Sequence, residues 1–283
     1  MRTYRLSVRA GQSRDPALAV SGEGVAALRR SHRAVIMIHG FANSPAVAEQ
    51  SYERLVAALS DNLWPTRPDR LAGFFGFHWP GDHRLPVVTQ LSYATRVPAA
   101  TASGQALGRL LADLPRTTEV ILVAHSLGCR VLLAALEWLM SQASGHGARI
   151  SGVYLLAAAV PVGECASPQR FAARHPDSRY VVLHSHRDRV LGLTFGPGQF
   201  LFERIAQAVG RYGAPDGDRW DQRVATGLGH SGYWRSPLIA ERVARAVSPF
   251  GLHLLPVLPS YTGVVDEEAW QPLVNELDAR HLP

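Results

Sequence analysis

The stretch EVILVAHSLGCRVLLAALEWL, Glu119 to Leu139, holds one serine, Ser126, with Ala124 two residues before it and Gly128 two after. An apolar run leads into the serine and an apolar-periodic run leads away, so it sits where a strand turns sharply into a helix. Such a bend strains the backbone at the serine and crowds the residues two before and two after, which must be small. It also lifts the hydroxyl above the sheet, at a helix N-terminus where N–H groups face developing negative charge. That is the setting of nucleophilic acyl chemistry. An alcohol is a weak nucleophile until a base takes its proton, and the base needs an acid to orient it.

For a serine at such a bend the acid and then a histidine follow in chain order. Asp188 closes YVVLHSHRD, at the carboxyl end of an apolar strand, where open α/β sheets place their sites. His230 lies in GLGHSGYW, whose glycines let a loop histidine reach the serine. Two backbone N–H groups would complete an oxyanion hole: Leu127, directly after the nucleophile, and Phe41, after the strand that ends in His39 and Gly40. Loss of one such donor typically slows catalysis by about two to three orders of magnitude.

Other residues compete for these roles. The chain has twelve histidines. His39 belongs to a turn, His125 is expected to face away from Ser126 because neighbours on a strand alternate, and His184 and His186 precede the acid. Glu164 is the rival acid, while Asp216, Asp218 and Asp221 sit in a turn-like stretch. His184, His186 and Asp188 share one strand face and form a weak three-ligand metal pattern, so no metal and no cofactor are expected. Cys129, three after Ser126, reads as a core residue. Trp79, Tyr93, Tyr233 and Trp234 are candidates for the mouth of a substrate pocket.

The elements that must position these groups alternate between strand and helix, which calls for a mostly parallel sheet. Strands are expected at Thr3 to Ala10 (an edge), Ala34 to Gly40, Gly73 to Asp82, Glu119 to Ser126 (the centre), Ile150 to Val160, Arg179 to Asp188 and Trp220 to Gly227. Helices are expected at Ser44 to Ser60, Pro98 to Leu114, Leu127 to Gln142, Gly198 to Tyr212 and Ser236 to Ser248. Ser44 and Ser236 are N-caps, each followed by proline at the first helical position. The short gap between Val160 and Arg179 leaves no room for a large lid domain. Residues 1–248 read as one domain, and 249–283 as a proline-punctuated tail ending in a helix packed on the same domain.

The chain has 283 residues, 47% hydrophobic and 18% charged, which excludes a disordered chain and allows a sizeable core. Its two cysteines exclude a disulfide scaffold and fit a reducing compartment. The N-terminus lacks the apolar segment of a secretory signal, and the longest apolar run is too short to span a bilayer, so a cytoplasmic protein without a membrane partner is expected. The net charge of +6 comes from arginine alone, for lysine is absent. The arginines are scattered, which reads as a solvated surface and not as a nucleic-acid site.

Together IHGFANSP, FHWPGD, AHSLGCRVL, HSHRDRVL and GHSGYW resemble the α/β-hydrolase fold over about Ala34 to Ser248, and within it a poorly characterised branch with similar segments in the same order. The resemblance implies an eight-stranded sheet, a Ser126–Asp188–His230 triad and hydrolysis of an ester or amide without a metal. Related chains often carry an acid soon after the strand corresponding to VYLLAAAV, where this chain has Val160 and Pro161. The expected activity is a serine hydrolase acting on a small ester, thioester or amide. The alternatives are a non-catalytic scaffold of the same fold that binds a protein, and an acyltransferase using the same three residues.

Overall fold

A computed structural model describes residues 3–8, 20–62, 72–81, 95–142, 147–165, 177–195, 207–214 and 222–247. The chain divides into two units, Met1–Pro249 and Phe250–Pro283, and the structure below is that of the first. The expected tail helix lies outside the described residues.

Seven strands form one sheet among the described residues, all parallel: β1 (Tyr4–Ser7), β2 (Arg33–Ile38), β3 (Gly73–His78), β4 (Glu119–His125), β5 (Arg149–Leu156), β6 (Arg179–His184) and β7 (Gln222–Ala225), in the order β1-β3-β2-β4-β5-β6-β7. This is one strand fewer than the resemblance implies. The helices are α1 (Gly24–Arg29), α2 (Pro45–Asn62), α3 (Val97–Ala112), α4 (Gly128–Ser141), α5 (Val209–Tyr212) and α6 (Pro237–Val247). No lid domain is found among the described residues.

Strand order and handedness fix the layers. The chain passes from β2 to β3 in one direction, then from β3 past β2 to β4, and from β4 to β5, in the other. Right-handed crossovers therefore put α2 on one face and α3 and α4 on the opposite one. The packing agrees: α3 lies against α4, and α6 against α2. With helices on both sides, central strands must be apolar on both faces, and Val120 to Ala124 are all fully buried. The chain diverges from the carboxyl ends of β2 and β4 to opposite sides, which opens a crevice at that switch point, where open α/β sheets bind ligands.

Local chemistry sets the element ends. The Ser44 hydroxyl accepts the Val47 N–H at 3.3 Å, capping α2 as expected. One apolar run continues past its strand. Residues Ala157 to Val160 are buried, yet β5 stops at Leu156 because Ala157 turns left-handed at φ 44°. Burial, and not extension, is what that run encodes. Of the helix expected over Gly198 to Tyr212, residues 198–206 lie outside the described residues. Ala208 is extended, with ψ 131°, and bridges to Pro161, so α5 begins only at Val209.

Candidate active site

Four strand ends supply the site, each within five residues of its strand. Ser126 follows β4 directly, at φ 54°. A left-handed non-glycine residue carries strain of about 1–3 kcal/mol, and it persists only where the surroundings over-determine it. Here they do. The Ser126 N–H donates to Leu156 O at 2.9 Å, and its carbonyl accepts from Cys129 N–H and Ala159 N–H, both at 3.1 Å.

Gly128 must be small because of a neighbouring strand. A Cβ on Gly128 would meet the end of β2: 2.3 Å from the His39 carbonyl oxygen and 2.8 Å from that of Ile38. A Cβ on Gly40 would stand 2.9 Å from the Ser126 Cβ. Glycine at both places lets the nucleophile bend, the start of α4 and the loop carrying Phe41 close on one another. That loop is tied down by Ala42 N–H donating to Gly81 O at 2.8 Å. His39 Nδ1 donates to Gly40 O at 2.8 Å, which leaves Nε2 to accept the Trp79 N–H at 3.3 Å. Leu127 N–H, on the far side of Ser126, has no acceptor among the described residues.

Asp188 lies past β6 and is fully buried. Its Oδ1 accepts the Leu191 N–H at 2.9 Å, and its main-chain carbonyl accepts Arg211 Nη1 at 2.6 Å. Its Oδ2 lies 2.8 Å from His230 Nδ1, and His230 Nε2 lies 3.0 Å from Ser126 Oγ. A carboxylate only accepts, so Nδ1 carries the proton and Nε2 presents its lone pair to the serine hydroxyl. Thr226 fixes the loop bearing His230 at its root. The Thr226 hydroxyl donates to His184 O at 3.1 Å, so the bond at 3.2 Å with the Tyr233 hydroxyl must be donated by tyrosine. Burial pushes the Tyr233 pKa up, which keeps that donor protonated.

The structure brings Ser126, Asp188 and His230 together and holds Phe41 and Leu127 beside them. The expectation of a pocket mouth is corrected for three of its four aromatics. Trp79 and Tyr233 are fully buried and Trp234 nearly so. Trp79 stacks on His39 and its Nε1 donates to His39 O at 2.8 Å, while Trp234 meets Tyr52 edge-on. These rings hold the loops from beneath. Tyr93, the carboxylate of Glu164, and Asp216, Asp218 and Asp221 lie outside the described residues. Cys129 is buried, and its thiol donates to Ala124 O at 3.2 Å. His184 and His186 meet edge to face, and among the described residues no group of three or more His, Cys, Asp or Glu side chains is placed to hold a metal ion. His125, set aside in the sequence, touches the His230 loop: Nε2 lies 2.7 Å from His230 O.

A parallel sheet wrapped by helices, with a left-handed serine bend at its switch point and a histidine and a carboxylate from later strand ends, defines the α/β-hydrolase class of fold. The chain belongs to the family described as alpha/beta hydrolase of unknown function (DUF900), whose family model matches residues 24–225. That match takes in Ser126 and Asp188 and ends before His230. No curated protein matches the chain. Among solved structures, it is similar to the crystal structure of an uncharacterized protein from Bacillus cereus ATCC 10987, at 12% identity and a TM-score of 0.44, over 77% of this chain and 59% of that one. No described helix is long and apolar enough to cross a membrane.

Proposed function

We propose that this protein is a serine hydrolase that cleaves a carboxylic ester, or a thioester or amide, through an acyl-enzyme on Ser126. One observation carries the reading: the unbroken hydrogen-bond chain from Ser126 Oγ through His230 to buried Asp188, beginning on a strained bend. Ser126 Oγ adds to the carbonyl carbon while its proton passes to His230 Nε2. The carbonyl electron pair moves onto oxygen, where the N–H groups of Leu127 and Phe41 receive it. Asp188 holds the imidazolium that forms. Collapse expels the leaving group, which takes its proton from His230. Water then adds to the acyl-enzyme with His230 again as base; collapse breaks the bond to Ser126 Oγ, which takes its proton back from His230 as the acid leaves.

A labelled fluorophosphonate tests the assignment. It should modify the wild-type protein and leave Ser126→Ala untouched; equal labelling of both would end the reading. A series of p-nitrophenyl esters of graded chain length then defines the acyl group. We also propose a cytoplasmic setting, which the buried free thiol of Cys129 supports.

A further inference from the structure

We propose that His125 is a positioning residue for the base: its ring N–H grips the main-chain carbonyl of His230 and fixes the loop from which that imidazole reaches Ser126. The inference rests on the serine-hydrolase reading above and adds a residue to it.

The geometry dictates the proton's place. A carbonyl only accepts, so His125 Nε2, 2.7 Å from His230 O, must carry the hydrogen. Its Nδ1 is then a buried lone pair, with no partner among the described residues. The ring is neutral: burial first, and then the neighbouring His230, lower its pKa to about 3. Neutrality matters here because the two rings are 4.9 Å apart, centre to centre. His230 becomes a cation when it takes the serine proton, and a second cation against it would oppose that step. Tyr233, whose hydroxyl stays protonated, and Trp234 complete the surroundings at 6.0 and 5.9 Å, and Asp188 acts through space.

The loop needs such a grip. Gly227 is left-handed at φ 65°, and the Cβ positions of Gly227 and Gly229 open onto empty space. Thr226 anchors the root through Leu228 N–H at 3.2 Å, and Gly232 N–H closes a turn onto Gly229 O at 3.0 Å. Among the described residues, the bond from His125 is the one that ties the main chain of residues 229–231 to the sheet. It ties them to the residue that immediately precedes the nucleophile. Base and nucleophile are thereby held by one strand end.

Two variants separate the hydrogen bond from simple packing. His125→Phe keeps a ring and loses the donor; His125→Gln loses the ring and keeps an N–H that reaches the same place. The rate at which the fluorophosphonate labels Ser126 should fall about 10- to 100-fold in His125→Phe, the order expected when a catalytic group is misplaced by about 1 Å. In His125→Gln it should stay close to wild type. The reverse order assigns the role to packing and overturns the proposal. A second readout needs no reactivity: the low-field proton resonance of His230 Nδ1–H, bonded to Asp188, should persist in wild type and His125→Gln and disappear in His125→Phe. If it persists in His125→Phe, the positioning role fails whatever the labelling does. If it follows the expected pattern while wild type is never labelled, positioning stands and the hydrolase reading falls. His125→Leu serves as the donor-free variant should His125→Phe not fold.

Discussion

At the scale of single residues, Asp188 is the position where hydrogen-bond direction decides most. Leu191 N–H fixes Oδ1 as an acceptor, so in Asp188→Asn the amide nitrogen must take the place of Oδ2. It would then donate to His230 Nδ1 and drive the histidine proton to Nε2, against Ser126 Oγ. The fold should survive, because among the described residues the carboxylate makes these two hydrogen bonds and the amide can still fill both places. Turnover or labelling should fall by about 10⁴-fold, as when a triad acid becomes its amide elsewhere; a loss under tenfold would remove Asp188 from the machinery. Ser126, Asp188 and His230 were legible in the sequence because the chemistry admits few residue types in a fixed order. His125 and Arg211 were not. Each acts on a main-chain carbonyl, of His230 and of Asp188, and a carbonyl belongs to every residue and leaves no mark in a sequence.

At the scale of elements, two glycines make contrasting predictions. Gly128 brings α4 against the end of β2, and Gly104 brings α3 against α4, where a Cβ would lie 2.3 Å from Val131 O. Both contacts are with backbone, so alanine forces a shift in each. Gly128→Ala moves the nucleophile bend relative to Phe41 and should reduce labelling of Ser126 by at least about 100-fold. Gly104→Ala separates two helices away from the bend; it should lower stability by about 1–3 kcal/mol and leave labelling per folded molecule near wild type. Thermal melts beside labelling rates decide, and equal loss of labelling in both would refute the distinction. The parallel sheet, the central place of β4 and the edge place of β1 were all readable from apolar runs. Strand order was not, since it depends on which faces the crossovers cover. Nor was α1, whose six residues are too few to show a helical period.

At the scale of the whole molecule, stability should depend on pH through histidines that folding keeps neutral. The pKa values of both His125 and His184 are lowered, chiefly by burial, that of His125 to about 3. In the unfolded chain a histidine titrates near 6.5. Between that value and the folded one the unfolded chain binds protons that the folded chain refuses, so stability is full above about pH 6.5 and falls as the pH drops through the window. Each such group contributes a slope of at most about 1.4 kcal/mol per pH unit. Carboxylates titrate in the lower part of the same window, so the wild-type curve alone does not isolate the histidines. The difference from His125→Gln does, because that variant lacks one titrating ring and keeps every carboxylate. Urea midpoints measured from pH 8 down to pH 4 should show the stability gap between wild type and His125→Gln constant above about pH 7 and shrinking below 6.5. A gap that stays constant to pH 4 would mean that His125 accepts its proton in the folded protein, and that the ring beside His230 is not held neutral.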